Sequence, residues 1–156
     1  MRILIVEDNP TDRDLLLELL QERFMSQAKF RLASDLRGAF DYLNRRHSSI
    51  IPSAELISNE PYFHCVILDL GLPDSNGRDT FEAIHQKHPH IPIVVVSNNL
   101  DQALAIDLIR GGAEDFILKD FTNTNDLFRR VMFAIERAAR NTRREIQALN
   151  DAAKSR

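Results

Sequence analysis

Residues 3–8 read Ile3-Leu4-Ile5-Val6-Glu7-Asp8: four aliphatic side chains, then two acids. A short unbroken apolar run rich in β-branched residues is the pattern of a strand buried on both faces, as strands of a parallel sheet are. The same design recurs twice. Cys65-Val66-Ile67-Leu68 is followed by Asp69, and Phe116-Ile117-Leu118 by Lys119. If these strands lie parallel in one sheet, their carboxyl ends bring three acids and one amine to a single crevice. Clustered carboxylates repel one another, and a bound divalent cation is the natural means of keeping all three ionised. A lysine facing them balances an added anion. The chemistry indicated is a site for a hard cation and a phosphoryl group.

Outward from these runs the chain alternates apolar strands with amphipathic helices, the order of an α/β domain with a parallel sheet. Strands are expected at 2–7, 29–33, 63–69, 91–97 and 115–118. The first helix follows Asn9-Pro10, proline suiting a first helical position, and is expected to bury Leu15, Leu16, Leu19 and Leu20. A second helix starts from Ser34 or Asp35, with Leu36, Ala39, Phe40 and Leu43 inward. A third follows the turn Pro73-Asp74-Ser75-Asn76-Gly77 and carries Phe81, Ile84 and His85. The fourth runs from Asp101 to the stop signal Gly111-Gly112, and the fifth begins near Asn125. Five such units predict a doubly wound five-stranded sheet with its ligand crevice beyond strands one, three and four. Residues 48–62 form a long connection at the opposite end, which reads as a partner surface or a tolerated insertion.

Composition narrows the classes. At 156 residues, 44% apolar and 28% charged, the chain is an ordinary globular domain with room for a sizeable core. The single cysteine, Cys65, excludes an internal disulfide and sits in a strand, where it reads as a small core residue. No apolar run approaches the ~20 residues that span a bilayer, so no membrane association is expected and the cytoplasm is the default. Net charge is −3, unevenly spread: residues 1–122 carry 12 Lys/Arg against 19 Asp/Glu, and residues 123–156 carry 8 against 4. The basic tail has spaced arginines and almost no aromatics, the pattern of a solvated helix face; no direct DNA binding is expected. His85, His88 and His90 straddle Pro89 at the wrong end of the sheet for the crevice and read as solvated loop histidines.

The runs 3–9 (ILIVEDN), 66–77 (VILDLGLPDSNG), 92–97 (PIVVVS) and 112–119 (GAEDFILK) resemble the receiver domain of two-component response regulators, over roughly residues 1–138. The resemblance implies a flavodoxin-like sheet of order 2-1-3-4-5 with helices on both faces. It further implies phosphoryl transfer from a histidine kinase or phosphotransfer protein onto Asp69, with magnesium. On that likeness Glu7, Asp8, Asp69 and the Gly71 carbonyl hold the metal. Ser97 contacts the phosphoryl group, Lys119 pairs with it, and Phe116 is the switch aromatic beside Ser97. A carboxylate is a competent nucleophile toward phosphorus. Magnesium suits two or three carboxylates, a carbonyl and water.

Three positions depart from the family pattern. Asp120 stands where a proline in a cis peptide is common, so either a trans bond with a shifted loop or a strained cis bond is expected, leaving the reach of Lys119 open. Phe116 replaces a tyrosine, and Asn98 is larger than the residue usual there, crowding the pocket against small donors. Competing readings are the receiver portion of a larger sensor kinase or cyclic-dinucleotide signalling protein, and, more remotely, an aspartate-nucleophile phosphatase. The phosphatase needs a second acid where Gly71 stands. Residues 139–156 read as a helical extension, linker or coiled coil. Ile135, Ala139, Thr142, Ile146, Leu149 and Ala153 recur at spacings of four and three, a poor seam consistent with a weak homodimer. The alternative is a last helix that frays after Arg140.

Overall fold

The computed structural model describes residues 1–44, 63–99, 101–120 and 124–155. Five strands, β1 (Arg2–Val6), β2 (Lys29–Ala33), β3 (Cys65–Asp69), β4 (Ile93–Ser97) and β5 (Asp115–Leu118), form one sheet in the order β2-β1-β3-β4-β5. Every neighbouring pair is parallel. This is the flavodoxin-like arrangement expected. The expected connection at 48–62 lies outside the described residues.

Successive strand residues point to opposite faces, so each run feeds two cores. Leu4, Val6, Val66, Leu68, Val95 and Phe116 pack under α2 (Leu36–Leu43), α3 (Gly77–Lys87) and α4 (Gln102–Arg110). Ile3, Ile5, Ile67, Val94, Val96 and Ile117 pack under α1 (Pro10–Phe24) and α5 (Thr124–Lys154). Cys65 joins this second core, and burial pushes its thiol up to about 12, which keeps it an inert hydrophobe.

Local signals set the helix ends. The Asn9 side chain accepts from the N–H groups of Thr11 (2.9 Å) and Asp12 (3.1 Å) to start α1. Asp35, rather than Ser34, caps α2 through the Gly38 N–H at 2.6 Å. α3 starts at Gly77, whose φ of +58° is one that side chains resist. It leaves a small antiparallel pairing of Gly71–Leu72 with Ser75–Asn76.

Two expectations need correction. α1 buries Leu16, Leu20 and Phe24, whereas Leu15 is exposed and Leu19 half-buried. In the run Leu15-Leu16-Leu17-Glu18-Leu19-Leu20 every face is apolar, and only the spacing of four from Leu16 to Phe24 selects the buried stripe. β4 begins at Ile93 rather than Ile91, because Pro92 has no N–H for the ladder; its carbonyl still accepts from the Val66 N–H at 2.9 Å.

The last helix continues unbroken for 31 residues, about 46 Å at 1.5 Å per residue. Leu127, Val131, Ala134 and Ile135 are buried in the core, Thr142 is half-buried, and residues 143–155 are exposed. Ile146 and Leu149 continue the stripe of Ile135 and Thr142 and are exposed. No helix among the described residues is long and apolar enough to cross a membrane.

Candidate functional site at the carboxyl ends of the strands

Glu7 is the first residue past β1. Its N–H still donates to the Ala33 carbonyl at 2.9 Å, which fixes the side chain in the buried crevice. Oε1 accepts from the Asn9 N–H at 3.0 Å, and Oε2 lies 2.5 Å from Lys119 Nζ. Burial pushes its carboxyl above the ordinary value, against the pull of Lys119 and of the Asn9 N–H; the charge of Asp69 adds to the rise. Asp69 ends β3, nearly buried. Its Oδ2 accepts from the Gly71 N–H and its Oδ1 meets Lys119 Nζ, both at 3.1 Å.

Lys119 follows β5, and its N–H donates to the Ser97 carbonyl at 2.8 Å. The Lys119–Asp120 bond is trans, and the lysine reaches the crevice nonetheless. Only 2% of its side chain is exposed. Burial works to lower its pKa, but the hydrogen bond to Glu7 and the charges of Asp69 and Glu7 outweigh it, so the ammonium is held above its ordinary value.

The structure therefore brings Glu7, Asp8, Asp69 and Lys119 together. One carboxylate oxygen each from Glu7, Asp8 and Asp69 lies within 4.8 Å of the other two. Among the described residues this is the only such group of potential metal ligands. Buried Glu7, exposed Asp8 and the end of β3 present oxygen donors from two adjacent strand ends, a donor set that fits a hard divalent cation. Gly71 stands beside them through its bond to Asp69.

Other expected residues lie differently. Ser97 lines the same cleft, but its hydroxyl donates to the Asn99 carbonyl (3.1 Å) and accepts from the Asn99 N–H (3.2 Å). Phe116 is buried in the core beneath α3 and α4, outside the charged cluster. His85 is not a solvated loop residue: it stacks on Phe81 with ring centres 5.0 Å apart, and its ring abuts Gly112. His88 pairs with Asn44 Oδ1 at 3.1 Å, and burial lowers its pKa.

Asp12 joins the cluster without having been singled out from sequence. Its Oδ2 lies 3.2 Å from Lys119 Nζ and accepts from Asn98 Nδ2 at 3.5 Å. An acid in a helix's first turn is a common dipole partner. Only the spatial approach of β5 distinguishes this one.

The family model of the response regulator receiver domain matches residues 3–132. Response regulator protein PilR of Pseudomonas aeruginosa is 31% identical over 118 residues, 76% of this chain and 22% of that protein. The alkaline phosphatase synthesis transcriptional regulatory protein SphR of Synechococcus elongatus is 30% identical over 140 residues, 88% of this chain and 49% of that one. The chain thus spans less than half the length of these curated relatives. Among solved structures, the receiver domain of NtrX from Brucella abortus superposes with a TM-score of 0.67 at 29% identity, covering 86% of this chain and 98% of that one.

Proposed function

The chain belongs to the response regulator receiver domain family, and from that premise we propose that it is a phosphoacceptor with Asp69 as the accepting residue. Receiver domains work in two-component signalling, where histidine kinases or phosphotransfer proteins supply the phosphoryl group. The observation that carries the reading is the meeting of Glu7, Asp8 and Asp69 with the buried ammonium of Lys119.

An Asp69 carboxylate oxygen attacks the phosphorus of a phosphohistidine. The O–P bond forms as the P–N bond breaks, and the imidazole nitrogen keeps the electron pair and takes a proton. Glu7, Asp8, Asp69 and the Gly71 carbonyl would hold magnesium, which when bound would supply positive charge to the phosphoryl group being transferred. Lys119 transfers its contact from the Asp69 carboxylate to the phosphoryl group. Ser97 turns from Asn99 to donate to a phosphoryl oxygen, drawing its loop inward, and the Phe116 ring follows that loop. A local charge change is thereby converted into a change at the α4 surface.

Residues 1–138 make up the receiver unit, and residues 139–156 are the helical extension that passes its state on. The exposed Ile146 and Leu149 stripe supports a weak homodimer through this helix. A second reading is the receiver portion of a larger sensor kinase or cyclic-dinucleotide signalling protein; the chain matches only 22% of PilR, so receiver units of this family occur within longer proteins. Intact-mass measurement after incubation with magnesium and acetyl phosphate, or with a phosphorylated kinase, tests the assignment. The expected result is a base-labile phosphate on the native chain and none on Asp69→Asn. Equal incorporation in both would remove Asp69 from the role.

A further inference from the structure

The Lys119 ammonium contacts three carboxylates, Glu7 at 2.5 Å, Asp69 at 3.1 Å and Asp12 at 3.2 Å, and it donates a hydrogen bond to Asp12 Oδ2. Glu7 and Asp69 already have places in the proposed chemistry. Asp12 has none. Its backbone N–H is bound by the Asn9 side chain, so it starts α1 whatever its own carboxylate does. That carboxylate is also met by Asn98 Nδ2, from the loop that follows β4. Resting on the reading of Asp69 as phosphoacceptor, we propose that Asp12 is a brake on phosphorylation. It accepts a hydrogen bond from Lys119 and adds a negative charge at the cleft mouth, slowing the arrival of small anionic phosphoryl donors.

The contacts support a brake over a brace. Glu7 and Asp69 alone hold the ammonium from two strand ends, with side chains 1% and 11% exposed. The Asp12 side chain is 24% exposed, so it is the partner that water can best re-solvate when it is released. One lysine then faces the four carboxylates of Glu7, Asp8, Asp12 and Asp69 that line the cleft. A donor phosphate arriving there brings further negative charge. A single like charge at about 5 Å in a wet cleft slows such an encounter roughly threefold to tenfold, and salt screens the effect. The link to Asn98 gives the same carboxylate a hold on the loop headed by Ser97. Asp12 thus acts on the arriving donor through its charge and leaves the holding of Lys119 to Glu7 and Asp69.

The test measures Asp69 phosphorylation in the full chain by mass spectrometry, across acetyl phosphate concentrations with magnesium, at low and high ionic strength. Native protein, Asp12→Asn and Asp12→Glu are compared, with Asp69→Asn as the blank. Asparagine keeps the size and the bond to Asn98 while removing the charge. Asp12→Asn is expected to react about threefold to tenfold faster at low salt. The gain should lie in the half-saturating donor concentration rather than the maximal rate, and should shrink at high salt. Asp12→Glu should stay near the native rate. An Asp12→Asn rate equal to or below the native one at low salt overturns the brake, as does an Asp12→Glu rate matching Asp12→Asn. If the native chain takes up no more phosphate than Asp69→Asn from acetyl phosphate and from a phosphorylated kinase alike, the phosphoacceptor reading has failed, and the brake falls with it.

Discussion

At the amino ends of the strands arginines match the acids beside them, whereas at the carboxyl ends one ammonium contacts three carboxylates with a fourth close by. Arg137 Nε lies 3.1 Å from Glu114 Oε2 while its Nη2 donates to the Glu114 carbonyl, and Arg130 grips Asp115 with Asp126 beside it. These pairs are partly exposed and balanced. In the crevice the Glu7 and Lys119 side chains are 1% and 2% exposed, and Asp8, Asp12 and Asp69 leave an excess of negative charge around them. A balanced end needs nothing further. An unbalanced, half-dry end holds repulsion that a cation would relieve, and the proposed binding chemistry rests on that contrast.

The largest expected effect comes from breaking the buried pair. Lys119→Met leaves Glu7 buried without its cation and should cost about 3 kcal/mol of unfolding free energy without magnesium. Arg137→Met, which removes a partly exposed pair at the other end, should cost about 0.5 kcal/mol or less. Denaturant melts of both variants measure the contrast, and similar losses would mean the two ends are built alike. Relieving the crowding has the opposite sign. Asp8→Asn should raise stability without metal by roughly 0.5–1 kcal/mol and lose most of the stabilisation that magnesium gives the native chain. Thermal melts with and without magnesium read both effects.

Asp74 offers a smaller test of how the crevice loop is held. Its carboxylate accepts from the N–H groups of Leu36 (2.9 Å) and Arg37 (3.0 Å), pinning the loop after Asp69 onto the start of α2. Those backbone bonds, the Leu36 N–H foremost, hold its pKa below the ordinary carboxylate value. Its contribution is therefore complete above that ordinary value and is lost as pH falls through the lowered one. Asp74→Asn should cost about 1 kcal/mol near neutral pH and less with increasing acidity; a penalty unchanged down the acid limb would refute the ionic clamp. The smallest effect is expected in the tail. Of the described residues, ending the chain at Arg140 removes only exposed ones and the half-buried Thr142, so stability should change by less than about 0.5 kcal/mol. Sedimentation should nonetheless show concentration-dependent self-association lost. A native chain monomeric at all concentrations would leave the Ile146 and Leu149 stripe without a second copy.

The sheet was readable because its signals are local. Three short apolar runs are each ended by a charged residue, and Asn9, Asp35 and Asp101 each cap the helix they precede. The meeting of Glu7, Asp8, Asp69 and Lys119 followed once the strands were set parallel, since carboxyl ends of parallel strands share one edge. What escaped depends on contacts between elements distant in sequence. Asp12 is an ordinary first-turn acid until β5 brings Lys119 to it, 107 residues away. Asp74 looked like a turn residue, and nothing near it shows that it reaches the start of α2, 38 residues earlier. The α1 stripe was misjudged for a different reason. Its consecutive leucines satisfy every helical face, so packing against β1 and α5 had to choose among them.

The central claim is that the unbalanced end of the sheet exists to put a phosphoryl group on one particular carboxylate. Treating the magnesium-loaded, phosphorylated chain with borohydride reduces an aspartyl phosphate to homoserine, and peptide sequencing by mass spectrometry then locates it. The account predicts homoserine at position 69 and at no other acid, absent when the donor is omitted. Homoserine at position 8 or 12, or phosphate incorporation with Asp69 left intact, would contradict it.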